Sequence, residues 1–126
     1  MKRDWDTVRD LLTKLESLPS TDHYLSLGGA DVTDINTAYC TSYHMELLIE
    51  AGLVEGQMHK VLGGGPVNFT ASRLTWEGHE FLDSIRSETV WDKTKETFAS
   101  KGLDMTFETI KAVAAAAMTS ILGLSS

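Results

Sequence analysis

Trp5, Val8, Leu11, Leu12 and Leu15 recur at spacings of three and four, with polar residues between them. That apolar stripe predicts a helix from about Asp4 to Ser17. Asp4 or Asp6 sits at its N-cap, where a carboxylate also meets the positive end of the helix dipole. "LPSTD" stops it. In "HYLSL", His23, Leu25 and Leu27 alternate with Tyr24 and Ser26, the pattern of a short strand. "GGAD" turns the chain, and Asp31 or Thr33 starts the next helical stretch. "DINTAYCTSYHMELLIEAG" reads as two helices or one bent helix, with Ile35, Ala38, Tyr39, Tyr43, Leu47, Leu48 and Ala51 on the buried face. Gly52 suits the left-handed position just past a helix end. "LVEGQMHKVL" and "VNFTASRLT" are strands, and the "GGGP" between them is a loop, because three glycines and Pro66 do not belong inside a paired strand. Thr75 caps a helix over "TWEGHEFLDSIRS", packed through Trp76, His79 or Glu80, Phe81, Leu82 and Ile85. "SETVWDKTKETFASKG" makes another helix, with Thr89 and Asp92 at capping-box spacing and Gly102 at its end. The last helix, "TFETIKAVAAAAMTSILGL", carries Glu108 and Lys111 and is then apolar nearly all round; Leu124, Ser125 and Ser126 trail off.

Over residues 43–85, helix, strand, Gly-rich turn, strand, helix is the order of a winged helix-turn-helix. The expected class is α+β: three helices and a β-hairpin wing, followed by additional C-terminal helices. Residues 1–87 form the expected winged-helix domain. Residues 88–126 form a helical extension suited to oligomerisation or partner binding. Trp5, Leu12, Leu48, Leu53, Leu74, Phe81 and Ile85 are the expected shared core.

Charge changes the functional picture. The 126 residues carry a net charge of -7. Up to Ser87 there are seven Lys or Arg against 13 Asp or Glu, and beyond it four against five. The acid excess therefore lies on the winged core. Nucleic-acid affinity comes mostly from phosphate neutralisation, so an acidic domain needs a segregated basic patch to bind DNA. The single cysteine, Cys40, allows no intrachain disulfide and reads as a small buried hydrophobe. No apolar core follows the basic residues of "MKRDWDTV", so it is not a signal peptide. No apolar run approaches the roughly 20 residues of a membrane helix. A reduced, cytoplasmic protein is the expectation.

Three separated motifs, "MKRDWDTVRDLL", "YHMELLIEAGLVEG" and "LTWEGHEFLDSIRSETVWDKTKE", occur in an order that resembles the DUF2513 family. These are small uncharacterised proteins of phages, prophages and bacterial genomes. The resemblance spans about residues 1 to 111. It implies a winged-helix fold and a phage or mobile-element setting, and it implies no activity. The chain departs from the family pattern in "VAAAAMTSILGL", where a charged amphipathic helix is expected.

No residue pattern points to catalysis, so no enzyme, cofactor or metal site is expected. The histidines are His23, His44, His59 and His79. His79 and Asp83 share a helix face, but two ligands do not make a zinc site. "GGGPVN" lacks the Lys and Ser/Thr that follow the last glycine of a phosphate loop. No nucleophile elbow and no protease-like Cys-His-Asn order appears. A protein that works through protein–protein contacts is the favoured reading. Its self-association would run through Val113, Ala115, Ala117, Met118, Ile121 and Leu122, since a helix apolar on every side must be covered. The alternative is a dimeric, sequence-specific DNA-binding regulator. Its contacts would be Thr41, Ser42 and His44 on the recognition helix, with Lys2, Arg3, Lys60 and Arg73 from the N-terminus and wing. Glu46 and Glu50 on that helix oppose it.

Overall fold

The computed structural model describes residues 1–123, and the trailing end expected at 124–126 lies outside them. The chain is α+β, with helices α1 (Trp5–Glu16), α2 (Ile35–Glu50), α3 (Trp76–Ile85), α4 (Glu88–Lys101) and α5 (Phe107–Leu122). Strands β1 (Leu25–Ser26), β2 (Val54–His59) and β3 (Asn68–Leu74) form an antiparallel sheet of order β1-β3-β2. Two compact units divide between His79 and Glu80, inside α3, whereas the sequence pattern suggested a boundary after Ser87.

In the first unit, α1 starts at Asp4, whose carboxylate accepts the N–H of Asp6 at 3.1 Å and the hydroxyl of Thr7 at 2.8 Å. Val8, Leu11, Leu12 and Leu15 are its buried stripe. Trp5 is only half-buried, with the Arg3 guanidinium 4.5 Å over its ring. Residues 27–29 make a single 3-10 turn before α2.

α2 is one continuous helix of 16 residues. Its cap is Asp34, not Asp31 or Thr33: the Asp34 carboxylate takes the Thr37 N–H at 2.8 Å, while Asp31 stays in the preceding turn at φ 56°. Ala51 and Gly52 close the helix, and Gly52 takes the left-handed φ of 78°.

The β2–β3 hairpin bulges between Glu55 and Gly56, leaving Ser72 outside the pairing register, where its hydroxyl donates to the Glu55 carbonyl at 3.1 Å. Gly56 is required there, since a Cβ would lie 2.7 Å from the Thr70 carbonyl oxygen. Phe69, Ala71 and Leu74 of β3 face inward, and Leu25 of β1, paired with Ala71, joins them. α1 and α2 pack on this inner face of the sheet.

Thr75 starts α3: its hydroxyl accepts the Gly78 N–H at 3.1 Å and donates to the Gly52 carbonyl at 2.6 Å. Phe81, Leu82 and Ile85 are fully buried, but Trp76, expected on the same packing face, is 75% exposed.

In the second unit, Ser87 and not Thr89 caps α4, its hydroxyl accepting the Val90 N–H at 3.3 Å. Gly102 ends that helix at φ 65°. Thr106 and Thr109 form a reciprocal capping box at the head of α5. α5 lies along α4, with Ile110 and Ala114 buried and the Phe107 ring stacked 4.6 Å from Phe81.

Candidate interaction face

α2 is anchored by polar as well as apolar groups. Ala38, Thr41, Ser42, His44, Met45 and Leu48 point inward. The Ser42 hydroxyl donates to the Val67 carbonyl at 2.7 Å. His44, fully enclosed, has Nδ1 2.8 Å from the Cys40 carbonyl oxygen and Nε2 2.7 Å from the Asp4 backbone nitrogen. A carbonyl can only accept and an amide N–H can only donate, so the Nδ1–H tautomer satisfies both neighbours. Among the described residues, no buried side-chain polar atom lacks a partner.

This anchoring corrects the DNA-contact list. Thr41, Ser42 and His44 are 6%, 5% and 0% exposed, so none of them presents its side chain to a groove. It also rotates the helix relative to the face expected from apolar spacing. Ile35 and Tyr39, expected inside, are 59% and 41% exposed, and Ala51 is exposed too. The outward face therefore begins with Ile35, Tyr39 and the half-buried Tyr43, and continues with Glu46 and Glu50. α2 contains no Lys or Arg.

Both wing cations expected to meet phosphate are committed to carboxylates. Lys60 Nζ lies 2.8 Å from Glu46 Oε2, and Arg73 is ion-paired with Glu55. The hydrogen bond and charge of Glu46 hold the Lys60 amine above its ordinary pKa, against a small opposing effect of desolvation. Lys2 and Arg3 are exposed at the N-terminus, Arg3 against Trp5. Lys60 brings the wing against α2, and the next two residues, Val61 and Leu62, are 78% and 102% exposed.

A cleft beside α1 is lined by Asp6, Asp10, Lys14, Asp31, Cys40 and Thr41. Lys14 bridges Asp10 at 2.8 Å and Asp31 at 3.6 Å. The Asp10 hydrogen bond is the main cause of its raised pKa; burial opposes it and Asp31 adds to it. Cys40, half-buried and not wholly enclosed as its setting suggested, has Sγ 3.6 Å from His44 Nδ1.

The other histidines are scattered. His23 meets Ser20 at 2.8 Å, His59 meets Thr70 at 2.7 Å, and His79 lies 3.8 Å from Glu16. Asp83 pairs with Arg86. Among the described residues, no group of three or more His, Cys, Asp or Glu side chains is placed to hold a metal ion. Nor is any described helix long and apolar enough to cross a membrane.

On α5, Val113, Ala117 and Met118 are half-buried, while Ala115, Ile121 and Leu122 are exposed. Val113, Ala116 and Ala117 line a shallow groove with Lys93, Glu96 and Thr97 of α4.

A family model described as "Hypothetical protein (DUF2513)" matches residues 2–104. The chain belongs to the DUF2513 family. A relative from Haemophilus influenzae, described as "Uncharacterized protein", is 41% identical over 122 residues, covering 97% of this chain and 99% of the relative. No solved structure matches this DUF2513 chain.

Proposed function

We propose that this DUF2513 protein is a non-enzymatic regulatory protein of a phage or other mobile element, acting in the cytoplasm through protein–protein contacts. Its first unit works as a winged-helix module whose α2 meets a protein surface in place of a base edge. The order α1, β1, α2, β2–β3 hairpin and α3 supports the winged-helix assignment. One observation carries the functional reading: the outward face of α2 presents Ile35, Tyr39, Tyr43, Glu46 and Glu50, α2 itself supplies no Lys or Arg, and the Lys60 that reaches this face is matched by Glu46. Base edges are read by polar and basic side chains, and phosphates repel carboxylates. Aromatic residues are enriched in protein interfaces, inside a polar rim.

The test is duplex-DNA binding by the full chain, measured after selection from random-sequence duplexes. Expected affinity at physiological salt is about 10⁻⁴ M or weaker, the non-specific range. Submicromolar binding to a defined operator, poorly competed by random DNA, would replace this reading with that of a dimeric sequence-specific regulator. For the second unit we propose self-association through the exposed part of α5, supported by Ala115, Ile121 and Leu122 at its surface.

A further inference from the structure

The outward face of α2 has a polarity along its axis. Its first half is apolar and aromatic, with Ile35 and Tyr39 exposed and Tyr43 half-exposed. Its second half is acidic, with Glu46 half-exposed and Glu50 exposed. Successive members of the row Ile35, Tyr39, Tyr43 are four residues apart, so they stand one above another on one side of the helix. Glu46 and Glu50 continue that side.

Other exposed apolar side chains follow residues that are bonded to α2 or its C-terminal turn. The Glu46–Lys60 pair sets the base of the wing against this face, and Val61 and Leu62 follow directly. At the far end, the hydroxyl of Thr75 is bonded to the Gly52 carbonyl just past α2, and the neighbouring Trp76 is 75% exposed. Singly exposed apolar residues are ordinary, but a row of them with aromatic members marks a contact site. Lys60 is the cation paired into this face, and its charge is matched by Glu46. Glu50 and the helix cap Asp34 leave the surroundings acidic.

Resting on the protein-module reading, we propose that this face docks a basic segment of another protein, with apolar anchors on Ile35, Tyr39 and Tyr43 and Lys or Arg side chains toward Glu50. Charge complementarity selects this occupant. A second copy of the chain would bring the same acidic face to itself, and like charges in an interface are repulsive. A nucleic acid would meet the carboxylates with phosphates.

The experiment selects peptides of about 16 residues, long enough to cross one helix face, from a random library displayed on phage. Selection uses the immobilised full chain, with counter-selection on the Ile35→Ser/Tyr39→Ser double variant. Enriched peptides are then synthesised and titrated calorimetrically. The altered side chains are exposed, so an unchanged urea midpoint and circular dichroism spectrum show that the variants are folded. Expected are peptides combining Leu, Ile, Phe or Trp with Lys or Arg, bound about tenfold more weakly by Tyr39→Ser, the size of losing one anchor. Glu50→Gln weakens the same peptides by a few fold, and salt weakens binding to wild type more than to that variant. Enriched peptides lacking cations, or no enrichment at all, would overturn the proposal. So would peptides that bind Tyr39→Ser as tightly as wild type, or a wild-type dimer that Ile35→Ser dissociates; either outcome leaves the wider protein-module reading standing. Submicromolar binding to a defined DNA duplex would overturn that wider reading itself.

Discussion

The imidazole of His44, in the middle of α2, accepts the backbone N–H of Asp4 at 2.7 Å across 40 positions of chain. Asp4 is also the N-cap of α1. One ring therefore joins the start of the first helix to the centre of the second, and its other nitrogen is used within α2 on the Cys40 carbonyl. The cations nearest the N-terminus, Lys2 and Arg3, are carried by the residues just before this junction.

Replacing His44 by Leu removes the acceptor and leaves the part-buried Asp4 N–H without one. The expected loss is about 1–3 kcal/mol, the cost of an unsatisfied donor. His44→Gln, with an amide oxygen to accept the same N–H, is expected to lose less. Urea unfolding of the two variants checks this. A Leu variant within about 0.5 kcal/mol of wild type would show that the bond contributes little beyond solvation.

Gly78 approaches the end of α2 so closely that a Cβ there would lie 2.0 Å from the Leu53 carbonyl oxygen. Helix propensity alone would favour Gly78→Ala by about 1 kcal/mol. The clash is with backbone, which cannot rotate away, so overpacking decides the sign. The expected outcome is a net destabilisation of about 1–3 kcal/mol. Gly28→Ala is the control, since nothing lies within 4 Å of its added Cβ, and it is expected to be near neutral. Thermal melts of both variants distinguish them; a more stable Gly78→Ala would mean that α3 does not seat on Leu53 in this way.

The Asp34 carboxylate is lowered from its ordinary pKa of 3.8, chiefly by the backbone hydrogen bond from Thr37. A folded-state value below the unfolded one contributes stability that is complete above the unfolded pKa and is lost as pH falls through the folded one. Wild type is therefore expected to lose stability relative to Asp34→Ser below pH 3.8, because serine caps the helix without titrating. Melting temperatures of the pair across an acid series measure this. A constant difference at every pH would show that the charge on the cap has no effect.

Ala115→Glu and Ile121→Glu change two exposed positions on different sides of α5. If α5 pairs with its counterpart in a second copy, at least one of them buries an unpaired carboxylate in the interface, which is strongly unfavourable. Sedimentation of wild type over a concentration series is expected to show a dimer that one of the two variants dissociates. A wild type that stays monomeric at high concentration removes self-association from the proposal.

The sequence by itself determined what is local. The stripe of α1, the glycines that close α2 and α4, the hairpin with its glycine loop and the Thr75 cap follow from spacing, φ preference and side-chain chemistry within a few residues. The α+β class follows from their order. The tertiary structure decided which side of α2 faces out. Spacing of apolar residues placed Ile35 and Tyr39 inside, yet the core takes Thr41, Ser42 and His44, because Ser42 finds the Val67 carbonyl 25 positions away and His44 finds Asp4. A polar side chain is buried where its hydrogen bonds are met, and those partners come from distant chain. The same holds for charge. Lys60 and Arg73 look free in the sequence, and only folding brings Glu46 and Glu55 to them. That distant pairing neutralises the wing cations and leaves α2 with exposed aromatic side chains and the Glu50 carboxylate.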